Sequence, residues 1–270
     1  MALHNDLYMK NLLLIATTAI LFSACQADGI EPINPNDKNN LTIEFDNIVG
    51  SQNLAIETTQ FINASGEDYT ITNLNYFISN ISLKKTDGTS VSMADQYFLV
   101  KETDQASLTP SLKNVPAGDY TSMTFTIGVD SLKSISAVDQ RTGCLDPASY
   151  GTDNMYWSWN SGYIFFKMEG ISSKAPVNSA GLNKFQYHIG GFGGRTSATA
   201  NNLRKVTVNL PSTVTVRKSI APSIHFLVDI NGVFGTNVKI ANGAVIMNPA
   251  ISGPIANNYQ NIFKVDHVHN

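Results

Sequence analysis

The chain is predicted to fold as an all-β protein: an antiparallel β-sandwich, or a barrel-like variant of one, with short peripheral helices and long loops. Three observations carry this. From Leu41 onward the hydrophobic period is two, helical periodicity is scarce, and polar Gly- and Asn-rich turns separate the apolar runs. Side chains on a strand alternate between faces, so each run has one side to bury. Many such runs with short polar connections stack into two facing sheets.

The elements follow in chain order. Lys10 precedes an apolar run, Leu12 to Phe22, which closes on Phe22-Ser23-Ala24-Cys25. A short apolar stretch behind a basic residue and ending in small residues predicts a secretory signal over residues 1–24, not a membrane-spanning helix. "FSAC" reads as a lipobox, with Cys25 the acylated mature N-terminus. "MALHNDLY" reads as an extension upstream of Met9-Lys10, which leaves His4 outside the mature protein. Residues 25–40, "QADGIEPINPNDKNN" after the cysteine, are polar and rich in Pro and Asn and form the expected tether. Gln26 behind the acylated cysteine points to the outer membrane of a cell envelope. Residues 41–270 then form one β domain.

Within that domain "LTIEFDNI" alternates Leu41, Ile43 and Phe45 against Thr42, Glu44 and Asp46. "YTITNLNYFISNISLKK" is rich in β-branched and aromatic residues, and Thr86 to Thr89, "TDGT", signals a hairpin turn. "DYTSMTFTIGVD", "YIFFKME", "KFQYHIG", "LRKVTVNL", "STVTVRK" and "SIHFLVDI" each read as a strand. "DSLKSISAVD" and the segment around "IANNYQNIF" read as short helices. Ala137 to Asn154 and Ile171 to Asn183 are the long loops on either side of an aromatic stretch, Met155 to Gly170.

Composition narrows the chemistry. The formal net charge is −3 with no basic cluster, so nucleic acid is not an expected partner. Beyond Cys25 there is one cysteine, Cys144, and a lone thiol cannot staple the fold. "GGFGG" lacks the Lys-Ser/Thr of a phosphate loop, and no G-x-S-x-G elbow is present. Glu169 and Asp229 fall singly. A binding protein without turnover is therefore expected, and not an enzyme.

Two residue groups remain. Trp157 and Trp159, the two tryptophans of the chain, share a face if extended; composition alone favours core packing for them. Past His4 the histidines are His188, His225, His267 and His269. In "DHVH" an extended backbone turns His267 and His269 to one side, a pair suited to copper or zinc, with Asp266 placed to orient one ring. His225 sits on the polar face of its strand and His188 where a strand meets a glycine-rich loop.

"LNYFISNISL", "YFLV", "TFTIGVD", "LDP", "MYWSWNSGYIFFKMEG", "FQYHIGGF" and terminal "DHVHN" together resemble the MbnP-like copper-binding family, in the family's order and over most of the chain after the tether. The resemblance implies a secreted or lipid-anchored protein of Gram-negative bacteria, associated with methanobactin copper handling and paired with a dihaem oxidase of the MauG type. It implies that one of Trp157 and Trp159 is oxidised to kynurenine near the metal. It also implies copper, as Cu(I), on His188, His267 and His269, with His225 in reserve. The rival expectations are a surface module that stacks glycans on its aromatic side chains, and a purely structural lipoprotein.

Overall fold

The computed structural model describes residues 29–270, with one folded body from Pro32 to Asn270. The signal segment, the lipidation site Cys25 and His4 lie outside the described residues. In chain order the strands are β1 (Lys38–Val49), β2 (Gln52–Asn53), β3 (Phe61–Ile62), β4 (Asp68–Lys85) and β5 (Ser90–Met93). Next come β6 (Phe98–Lys101), β7 (Ser111–Pro116), β8 (Gly118–Ile127), β9 (Tyr156–Trp157) and β10 (Gly162–Ile171). The last are β11 (Lys184–Gly190), β12 (Arg204–Val216), β13 (Ser223–Asp229), β14 (Val245–Ile246) and β15 (Phe263–His269). Two short helices, α1 (Ser131–Ile135) and α2 (Gly253–Tyr259), fall inside the two segments read as helical.

The strands form two sheets, as the alternation requires. The smaller runs β15-β13-β1-β2, with β7 also on β1; the larger runs β12-β8-β4-β10-β11-β14, with β3, β5, β6 and β9 attached. Pairing is not wholly antiparallel. β1 pairs with β13, and β11 with β14, in parallel. A period-two pattern shows which face of a strand is buried but not which way its neighbour runs, so sequence could not separate these cases.

Other boundaries also differ from the expectation. β1 begins at Lys38, inside the stretch read as tether. "LRKVTVNL" and "STVTVRK" are one strand, β12, whose register on β8 shifts between Asn209 and Val214. Pro211 lies in that irregular stretch, where a residue without an N–H costs no ladder bond. After Trp157 the chain turns at once, and the Gly162 N–H donates to the Trp159 carbonyl at 3.2 Å.

Apolar residues fill both faces of the larger sheet. Between the sheets, Phe45 stacks on Phe226 with centroids 5.6 Å apart, and Phe125 meets Phe263 edge-on at 5.1 Å. A second buried cluster comprises Phe77, Val129, Leu145, Tyr150, Met155, Tyr163, Ile164, Phe165 and Phe192. Tyr76 and Ile78, on either side of Phe77, belong to the first cluster, so Phe77 faces the other way. The long segment after β8 covers that outer face as a third layer. Its anchors are polar. Arg141, buried, donates to the Tyr156 hydroxyl at 2.8 Å, and the Tyr163 hydroxyl donates to the Leu145 carbonyl at 2.7 Å.

Cys144 lies in this layer. Burial pushes its thiol up to about 11, and its Sγ sits 3.2 Å from the Tyr97 carbonyl, so it is a packed, unreactive side chain.

Phe77→Ala removes a fully buried ring from this second core. It is expected to cost about 3–5 kcal/mol in urea unfolding, and a loss under 1 kcal/mol would show that the covering layer contributes no packing.

Candidate metal centre

The outer face of the larger sheet carries a compact group of charges. β10 alternates Phe166 and Met168 toward the intersheet core with Lys167 and Glu169 toward the cover; β11 does the same with Phe185, Tyr187 and Ile189 against Gln186 and His188. Antiparallel register sets Lys167 opposite His188 and Glu169 opposite Gln186. All of Lys167, Glu169 and His188 are buried. Glu169 Oε1 lies 2.6 Å from His188 Nε2 and accepts from Gln186 Nε2 at 3.2 Å, while Oε2 takes Lys184 Nζ at 2.8 Å. Lys167 Nζ donates to the Asp153 carbonyl in the covering segment at 2.6 Å.

Burial by itself would raise the pKa of Glu169. The hydrogen bonds from His188, Lys184 and Gln186, with the charge of Lys167, overturn that and hold it well below the usual carboxylate range. Glu169 is therefore ionised, and the His188 Nε2 nitrogen facing it carries a proton. The lone pair of a neutral His188 is then on Nδ1. Metal-binding histidines have this arrangement, with a carboxylate fixing the tautomer from behind.

Two further groups belong to this end of β11. Gly190 shares its face of β11 two residues on, and a Cβ there would come within 2.7 Å of the Trp157 ring. Trp157 therefore lies directly over that strand. Trp159 stacks on Trp157 with centroids 4.9 Å apart and rings 27° from parallel, and is 48% exposed. Core packing thus fails for Trp159 and is half true of Trp157, since the turn after β9 lifts the second indole to the surface. The other is a residue the sequence reading missed. β14 pairs with β11 as Gln186↔Val245 and Tyr187↔Ile246. Met247 follows directly after the last of these pairs and is half-buried. Only the parallel pairing brings this segment to β11, because 58 residues of sequence separate Met247 from His188.

The remaining histidines are in the smaller sheet. His225 on β13 pairs with His267 on β15, and His267 Nε2 lies 2.9 Å from His269 Nε2. Asp266 Oδ2 is 2.7 Å from His267 Nδ1. The structure thus joins His225, held in reserve on sequence, to His267 and His269. It does not bring His188 to them: His188 lies in a different sheet, on Glu169. Sequence gives faces and local spacing, and the division between sheets is a matter of topology.

A family model described as MbnP matches residues 38–248. The chain belongs to the MbnP family. Among solved structures, MbnP from Methylosinus trichosporium matches it with a TM-score of 0.54 at 14% identity, covering 86% of this chain and 99% of that one. At that identity the likeness speaks to the MbnP fold. A comparison with curated proteins finds no match. Trp157, Trp159, His188, His225 and Met247 all lie inside the MbnP match, and His267 and His269 lie beyond it.

The lowered pKa of Glu169 stabilises the fold above the ordinary value of 4.5, and the benefit fades as pH falls and the unfolded carboxylate takes up its proton. Glu169→Gln is expected to lower the urea midpoint at pH 7, by a gap that narrows progressively as pH falls below 4.5. A gap that is constant from pH 7 to pH 3 would rule out an ionised Glu169 as its source.

Proposed function

We propose that this protein is a lipid-anchored, extracytoplasmic copper-binding protein that stores, delivers or senses the metal without turnover. Its Cu(I) site is on the outer face of the larger sheet, at His188 and Met247 beneath Trp157. One observation carries this reading: Glu169 Oε1, 2.6 Å from His188 Nε2, fixes the ring so that Nδ1 is the ligating nitrogen. The donor set fits the ion. Imidazole and thioether are soft enough to favour Cu(I), and the Glu169 carboxylate is engaged by His188 Nε2, Gln186 and Lys184. Membership of MbnP supports copper as the metal.

Unmodified indole is a poor ligand, because its nitrogen lone pair belongs to the ring. Of the two tryptophans, Trp157 is the one over β11, so it is the residue whose conversion to kynurenine would present an amine and a ketone here. Trp159, half-exposed outside it, faces the side from which a dihaem MauG-type oxidase would approach. Cys25 would tether the domain to the outer membrane.

The test is copper analysis with intact-mass spectrometry on protein from its native host. The expected result is near-stoichiometric copper together with a mass gain on Trp157, both lost in Trp157→Phe. His188→Ala and Met247→Leu are each expected to weaken Cu(I) binding at least about tenfold. Copper retained by the His188→Ala, Met247→Leu double variant would sink the assignment.

A second reading has its own observation. Pro147, Asn154, Tyr156, Trp157, Ser158 and Trp159 line an open depression of about 410 Å³, a shape on which a sugar ring would stack. It requires metal-independent quenching of tryptophan fluorescence by oligosaccharides; fluorescence unchanged across a glycan panel removes it.

A further inference from the structure

We infer that His225, His267 and Asp266 form a second metal site, for a borderline divalent cation such as Zn²⁺ or Cu²⁺, on the outer face of the smaller sheet and independent of the tryptophans. The backbone builds it with a bulge. On β13, Ile224, Phe226 and Val228 are buried toward the core and His225 points outward. β15 pairs His267 with His225, but the next pair is Val265 with Phe226, so Asp266 is the extra residue. In a regular strand Asp266 and His267 would point to opposite faces; the bulge turns both toward His225.

The resulting distances suit a bound ion. His225 Nδ1 and His267 Nδ1 are 3.3 Å apart, and His225 Nδ1 is 3.5 Å from Asp266 Oδ2. Ligands about 2.0–2.1 Å from a tetrahedral ion stand about 3.3–3.4 Å from one another. The third edge, His267 Nδ1 to Asp266 Oδ2, is 2.7 Å and would open by roughly 0.6 Å on binding, which a half-exposed carboxylate permits.

Without an ion the three atoms share protons, with Asp266 Oδ2 in reach of both rings. Two Nδ1 atoms facing each other bond only if one is protonated, and Asp266 competes for the same proton. A cation satisfies all three at once. His269 meets His267 at the other nitrogen, Nε2, and so acts on the ring from behind.

The surroundings select the charge. His225 Nε2 is 3.8 Å from Asp46 and 4.0 Å from Glu44, on the neighbouring strand β1. Two imidazoles, one carboxylate and two further acidic groups favour a divalent ion over Cu(I), and no sulfur is among the donors.

The test uses the mature chain made without a partner oxidase, with Zn²⁺ alone as the probe in calorimetry. One equivalent is expected to bind. The His225→Ala, His267→Ala double variant should bind at least about a hundredfold more weakly. His188→Ala with Met247→Leu should bind Zn²⁺ as the parent does, which separates this site from the Cu(I) site. Should the double variant unfold, the exposed single change His267→Gln decides: at least about tenfold weaker binding with an unchanged metal-free melting temperature. Zn²⁺ affinity unaffected in both, no Zn²⁺ uptake by the parent, or loss through the His188 variant would each overturn the inference.

Discussion

A carboxylate buried under a protein layer is the constraint around which the larger sheet is organised. Left alone, the charge of Glu169 would be expelled or neutralised. It persists because β11 supplies Lys184, Gln186 and His188, and β10 itself supplies Lys167. Lys167 in turn reaches Asp153 in the covering segment, whose carboxylate also pairs with Lys101 of β6 at 2.7 Å. One ionised group therefore ties together two central strands, an edge strand and the lid. Removing it would take a charge partner from the buried Lys167 and the acceptor from His188, which weakens sheet, lid and histidine orientation at once.

The third layer explains why the aromatic stretch is placed where it is. A two-sheet sandwich would leave the outer face of β4, β10 and β11 wet. Here Phe77, Tyr163 and Phe165 make it apolar at one end, and the charge group makes it polar at the other. Trp157 lies where these two environments meet. Its ring rests partly on the second core and partly over Gly190, whose lack of a side chain leaves room for it. Packing thus positions the indole, and its chemistry is left free for use.

The sequence announced the strands well, because half-buried strands write their faces directly into the alternation of residues. Ile224, Phe226 and Val228 are inward as read, and His225 is outward. What it could not give was adjacency between distant strands. His188 and the terminal histidines looked like one set and are two, since nothing in "FQYHIGGF" or "DHVHN" states which sheet either joins. Met247 carried no local signal at all. Asp266 was legible as a partner of His267, but its approach to His225 depends on a bulge that no residue pattern marks.

The contacts of Asn270 have a practical side. Asn270 Nδ2 donates to the Thr213 carbonyl at 2.9 Å, and its Oδ1 accepts from the Thr215 N–H at 2.7 Å, clamping the end of β15 to β12. A segment fused directly behind Asn270 would start from this clamp, next in sequence to His269. A polyhistidine purification handle fused there would add imidazoles next to the native ones and strain the clamp as well. Handles for this protein belong at the other end of the domain, ahead of β1.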